Sequence, residues 1–326
     1  MNAGLTNPTT PLSTVGAQHD AGLSCAKGSI PPANRCFDAP APLALWHLTS
    51  LDAPTVAVVW ALAFAWAAHR TLPAWTPILL ALVTWTVYIA DRLLDARSAF
   101  RMAEPDPLRL RHHFHWQNRR LFIPCAAVSA CVAACIILIC MPVAARERNS
   151  ILVAVGLAYF SSVHAGRNFP HFLSRLLRPL LAKETMVAVI FTAACALPTL
   201  SHAAVGGSVH SASPLWSLVA AVVYFTLVAW LNCHSIERWE TAGISSPGNR
   251  GSRSGTYSQG IGIGLAGLLL AGVLFSHHRI ALLIASGATA ALLLALLDQF
   301  RGRLTPLALR VAADMVLLTP LPFLFQ

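Results

Sequence analysis

Apolar residues run through this chain in long blocks, separated by short stretches that hold most of its charge. The blocks cover about residues 53–69, 75–95, 121–142, 150–165, 180–199, 214–233, 259–275, 279–298 and 305–325. Each is near the length a helix needs to cross roughly 30 Å of hydrocarbon. The pattern predicts an all-α, polytopic transmembrane helical bundle of about nine helices. A transmembrane barrel is built from alternating segments of about ten residues, and these continuous runs argue against it. The fourth block is short and leads into a polar segment. Leu43 to Leu51 read as an interfacial lead-in to the first span, with Trp46 and His47 suited to the headgroup region. Residues 1–41 are rich in Pro, Ser, Thr, Gly and Ala and predict a disordered tail ahead of a transmembrane domain over 42–326.

Composition agrees with the pattern. The chain is 56% hydrophobic and 11% charged, with a mean hydropathy of +0.61. Soluble domains usually carry about 25% charged residues, and no large soluble domain is expected here. Residues 1–40 lack an apolar core beside a basic start, so no cleavable signal peptide is expected. Of the eight cysteines, none forms a C-x-x-C pair, and most lie inside apolar runs. Neither a disulfide framework nor a zinc site follows.

The net charge of +10 is explained by where the arginines fall, without a nucleic-acid partner. Loops after even-numbered spans hold Arg97, Arg101, Arg109, Arg111, Arg119, Arg120, Arg167, Arg175, Arg178 and Lys183, then Arg238, Arg250, Arg253, Arg301 and Arg303. Loops after odd-numbered spans hold Arg70, Arg146, Arg148 and Arg279. Basic loops stay inside. The expectation is a multi-pass protein of the inner (plasma) membrane, with its N-terminus cytoplasmic and its C-terminus outside.

Candidate chemistry begins with Asp91 and Asp95, which close the second span. Four residues apart, they share a helix face, where like charges repel unless a cation lies between them. Such a pair suits Mg²⁺ carrying a diphosphate; the bland alternative is two interfacial acids paired with Arg92 and Arg97. Asn232, His234, Glu237 and Glu240 close the sixth span and could complete a cage, or form a solvated helix end. Arg109, Arg111, His112 and His115 offer donors for phosphate, or simply touch anionic lipid. Lys183 opens the fifth span beside Glu184. Arg310 and Asp314 share a face of the ninth and are expected to pair with each other.

These placements resemble the UbiA-type membrane prenyltransferase superfamily. Its members have nine transmembrane helices and a cytoplasm-facing cavity, with aspartate-rich motifs closing helices two and six. Asp91-Arg-Leu-Leu-Asp95 stands where the first motif belongs, and Asn232 to Glu240 where the second does. Lys183, soon after Arg178-Pro179, resembles the basic residue that follows a proline there in the family. The resemblance covers about residues 43–326. Two departures are visible: Val87-Tyr88 replace a leading Asn-Asp, and Asn232, Glu237 and Glu240 replace a second D-x-x-x-D. One ion is therefore easier to accommodate than two.

The resemblance implies a Mg²⁺-dependent transferase. Asp91 and Asp95, helped by Asn232 and Glu237, hold the metal. Arg109, Arg111 and Lys183 neutralise the departing diphosphate, Glu240 lies at the substrate, and the prenyl group passes to an aromatic or lipid acceptor. Membrane lipids are the other expected partner. The rival class is a non-catalytic transporter or lipid-binding protein that relies on Arg310 and Asp314 as intramembrane charges.

Overall fold

Residues 38–99, 110–164, 183–205, 215–244 and 254–325 are described by the computed structural model, and all fall in one unit that runs from Cys36 to Gln326. The expected tail over residues 1–37 lies outside the described residues, as do the arginine-bearing segments 100–109, 165–182 and 245–253. The helices are α1 (Ala41–Leu48), α2 (Asp52–Ala67), α3 (Trp75–Ala99), α4 (Leu110–Gln117), α5 (Arg119–Ile139) and α6 (Val143–His164). They continue as α7 (Lys183–Val205), α8 (Leu215–Ile244), α9 (Ser254–Val273), α10 (His278–Phe300) and α11 (Pro306–Val316). Short 3-10 turns occupy Arg301–Arg303 and Leu321–Phe325, and no strand occurs among the described residues.

Among these residues six helices, α3, α5, α7, α8, α9 and α10, are long and apolar enough to cross a membrane. α1 and α2 together form a further candidate, bent by 87° between them. The chain is therefore a helical membrane protein. The stretch expected as a lead-in, Leu43 to Leu51, includes most of α1, a separate helix bent by 87° from α2.

Two expected spans differ in the structure. α6 covers the fourth block and is 22 residues long. Arg146, Glu147 and Arg148 sit in its opening turns, and it does not join the six. The ninth block was expected to be one helix, but α11 has 11 residues, about 16 Å of rise. Pro320 and Pro322 cannot continue an α-helix because each lacks an amide donor. The chain therefore turns after Leu317. The Leu317 carbonyl, left without an intrahelical donor, accepts from Trp60 Nε1 at 2.8 Å.

That bond anchors the core. Trp60 of α2 stacks on Phe225 of α8 with ring centroids 3.7 Å apart, and Phe64 meets Phe225 edge-on at 5.8 Å. α2 is rich in alanine and is buried on most of its surface, which lets α3, α7, α10 and α11 pack around it. α5 does the opposite. It exposes Leu121, Val128, Val132, Leu138 and Ile139, an apolar face suited to lipid and too large for a soluble monomer.

α8 is the longest helix, at 30 residues, or about 45 Å. It exceeds the hydrocarbon thickness, so the apolar run ends and the helix continues through Asn232, Glu237 and Glu240. The polar extension is pinned to α10. Trp239 Nε1 donates to Asp298 Oδ1 at 2.8 Å, and Arg301 Nη1 reaches the same oxygen at 3.3 Å.

α9 and α10 approach closely through glycine. At Gly267 a Cβ would collide with the Tyr224 hydroxyl, whose own bond to the Ile263 carbonyl is 3.0 Å long. Gly267→Val should therefore lower stability by about 1–3 kcal/mol. Gly262 has nothing within 4 Å of its virtual Cβ, so Gly262→Ala should be neutral or stabilising. Thermal unfolding of both variants in the same detergent checks the pair.

Candidate functional site

α3 is polar on two faces where its apolar run ends. Asp91 and Asp95 lie one turn apart on one face; Tyr88 and Arg92 lie one turn apart on another. Arg92 is 4% exposed. Its Nη1 donates to the His47 carbonyl at 3.2 Å, its Nη2 lies 3.7 Å from Asp52 Oδ2, and it sits over the Tyr88 ring at 5.9 Å. Arg92 thus serves α1 and α2 and is not the counter-ion of the aspartate pair. Arg97 is exposed.

On the other face, Asp91 and Asp95 are half-buried. Asp91, Glu184 and Cys233 all lie within electrostatic reach of the Tyr159 hydroxyl on α6. That hydroxyl donates to the Lys183 carbonyl at 3.3 Å. Lys183 and Glu184 in turn act on the Cys233 thiol. The end of α3, the start of α7 and the polar part of α8 therefore meet in one region.

Asn232, next to Cys233, is 6% exposed, and its Oδ1 has no hydrogen-bond partner among the described residues. An amide oxygen buried without a donor costs about 1–3 kcal/mol, so a ligand or ion that used it would gain that much. Lys183 is exposed at the first position of α7, and Glu237 is half-buried. Glu240, expected at the substrate, is engaged by Arg310 of α11. Arg109 lies outside the described residues. Arg111 is the second residue of α4, and its side chain is likewise outside them.

A second polar centre lies on the Arg92 side. His47 Nδ1 lies 2.7 Å from Asp52 Oδ2 and 3.1 Å from Asp314 Oδ2. His47 and Asp52 are 2% and 3% exposed. Asp52 is the first residue of α2, where its charge also complements the helix dipole. Beside it, Ser50 and the buried His115 of α4 are hydrogen-bonded at 3.1 Å.

This centre is not foreshadowed in the sequence. Asp314 was expected to pair with Arg310, and His47 to face headgroups. Instead Arg310 reaches Glu240 and Asp314 reaches His47, because each has a buried partner on another helix. Arg92 was a bland partner for Asp91. The available signal is the presence of His47 and Asp52 in an otherwise apolar stretch.

Chemically, the Asp91 region offers oxygen donors and a nearby lysine, a set suited to a hard cation and a phosphate. The His47 centre mixes one imidazole with two carboxylates. The fold and its apolar helices define the class, a helical membrane protein. Comparison with protein-family models, curated proteins and solved structures returned no match.

Arg310 and Glu240 are mostly buried, with side chains 14% and 17% exposed. Arg310→Leu should destabilise by about 3 kcal/mol, because it removes a mostly buried ion-pair partner of Glu240. Adding Glu240→Leu should restore most of the loss. A double-mutant cycle read by unfolding in detergent measures the coupling.

Proposed function

We propose that the chain is an integral membrane prenyltransferase of the UbiA-like, nine-helix type. It moves a prenyl group from a polyprenyl diphosphate to a small hydrophobic acceptor, an aromatic ring or a lipid. The observation that supports this reading is the approach of the ends of α3, α7 and α8, the helices that carry Asp91, Lys183 and the buried Asn232.

Asp91 and Asp95, with Asn232 Oδ1 and Glu237, are the residues that would hold Mg²⁺. All four offer oxygen donors and Asn232 is buried; among the described residues the ligand atoms that already converge within 4.8 Å are those of His47, Asp52 and Asp314, so Mg²⁺ would have to draw Asp91, Asp95 and Glu237 together as it binds. When bound, the ion supplies charge neutralisation for the diphosphate. Lys183, Arg109 and Arg111 add positive charge at the leaving group as its bond to the allylic carbon breaks. The helices' apolar surfaces take the prenyl tail and keep water from the electron-poor carbon. In this reading the site faces the cytoplasm of a plasma membrane, with the N-terminus on the same side.

The second reading is a transporter or lipid-binding protein without chemistry. The buried His47–Asp52–Asp314 centre favours it, since ionisable groups at membrane depth mark ion and proton paths.

Thermal unfolding in detergent separates the two. A ligand at about 100 times its dissociation constant adds about 2.7 kcal/mol of stability. Farnesyl or geranylgeranyl diphosphate should give an upshift with Mg²⁺ and none with EDTA, and Asp91→Asn should abolish it. Absence of a shift with both lipids in well-folded protein removes the transferase reading. A function that survives Asp91→Asn and is lost in Asp314→Asn supports the second.

A further inference from the structure

We propose that His47, Asp52 and Asp314 form a second metal site, for a divalent transition ion such as Mn²⁺, Fe²⁺ or Zn²⁺, separate from the aspartate pair on α3.

Three ligand atoms from three elements converge there. The atoms offered by His47, Asp52 and Asp314 all lie within 4.8 Å of one another. They come from α1, the first turn of α2 and α11, and His47 and Asp314 are 267 residues apart. The position is a product of the tertiary fold and not of local sequence.

The donor geometry is already oriented. Asp52 Oδ1 accepts from the Ala53 amide at 2.9 Å, which turns Oδ2 toward the centre. Arg92 Nη1 holds the backbone carbonyl of His47 at 3.2 Å. Outer contacts of this kind fix ligands in metal sites.

Hydrogen bonding holds the cluster through few protons, which His47 shares with Asp52 and Asp314 and which the two carboxylates share with each other. Nδ1 carries at most one proton, in the ring plane, yet two carboxylate oxygens approach it at 2.7 and 3.1 Å. Arg92 reaches Asp52 only, at 3.7 Å. Asp314 has no guanidinium of its own, because Arg310, one turn away, is engaged with Glu240. A divalent ion at the centre serves all three donors at once. Metal–donor bonds of about 2.0–2.2 Å set neighbouring donors about 2.8–3.6 Å apart, from octahedral to tetrahedral angles. The His47–Asp52 separation of 2.7 Å has to open to enter that range, and the His47–Asp314 separation of 3.1 Å lies within it.

Donor chemistry selects the ion class. An imidazole with two carboxylates favours borderline metals over Mg²⁺, which prefers oxygen alone. Three protein ligands leave positions open for water or a further group. Binding displaces the Nδ1 proton, so occupancy falls as pH falls.

The test uses the full chain purified in detergent, with bound metal measured by plasma mass spectrometry before and after chelation. The chelated protein is then titrated with Mn²⁺, Fe²⁺ or Zn²⁺ alone and followed by thermal unfolding. About one transition ion per chain, or a saturable upshift by one of these ions, is expected. Asp314→Asn should lose it and Asp91→Asn should keep it. If Asp314→Asn fails to fold, His47→Gln serves as the second ligand variant. Metal-free protein that none of the three ions stabilises overturns the proposal. So does binding that Asp91→Asn removes and the His47 and Asp314 variants retain. Neither result depends on prenyl diphosphate, so failure here leaves the proposed function standing, and the reverse also holds.

Discussion

A buried ionic cluster at the start of α2 constrains the rest of the molecule. Charges removed from water cost several kcal/mol unless they are paired, so His47, Asp52, Arg92 and Asp314 must stay together. Each comes from a different helix. Their pairing therefore fixes the bend between α1 and α2, the rotation of α3 and the seat of α11. Trp60 reinforces the same junction from the apolar side, through its stack on Phe225 and its bond to Leu317. A change at any member acts on four helices at once.

The rotation of α3 links this cluster to the proposed diphosphate site. With Arg92 drawn toward Asp52, helical geometry turns Asp91 and Asp95 to a different face, and Asp91 lies within electrostatic reach of Tyr159 on α6. The two faces of the helix serve polar centres that differ in chemistry, with Cys233 of α8 within electrostatic reach of both Asp314 and Glu184. One holds oxygen donors beside a lysine and an unpartnered amide; the other holds an imidazole between two acids. α8 spans both environments, since its apolar half packs on Trp60 while its extension carries Asn232 and Glu240. The contacts from Trp239 to Asp298 and from Arg310 to Glu240 keep that extension in place outside the apolar core.

Much of the architecture is legible in the sequence because lipid forces every backbone polar group to bond within its own helix. That requirement produces continuous apolar runs, and the runs over 75–95, 121–142, 180–199, 214–233, 259–275 and 279–298 each overlap one of the six long helices. Hydropathy is blind to proline, so the block over 305–325 looked continuous although Pro320 and Pro322 interrupt it. It is equally blind to partners far away in sequence. Arg310 and Asp314 share a helix face, and local spacing pairs them; the fold gives each a better partner. Asp91, Asp95 and Asn232 stood out because acids and amides are rare at the ends of apolar helices. His47 and Asp52 gave a weaker signal, two polar residues in an otherwise apolar stretch, since such a pair at an interfacial turn is common.

The most direct measurement is electron cryo-microscopy of the full chain in lipid nanodiscs, with Mg²⁺ and a slow-reacting prenyl thiodiphosphate. The diphosphate should appear against Asp91, Asp95 and Asn232, with the prenyl chain running between α3, α7 and α8. Ligand density at the His47 centre, or none anywhere at saturating ligand, would contradict the assignment of the diphosphate site to the aspartate face of α3.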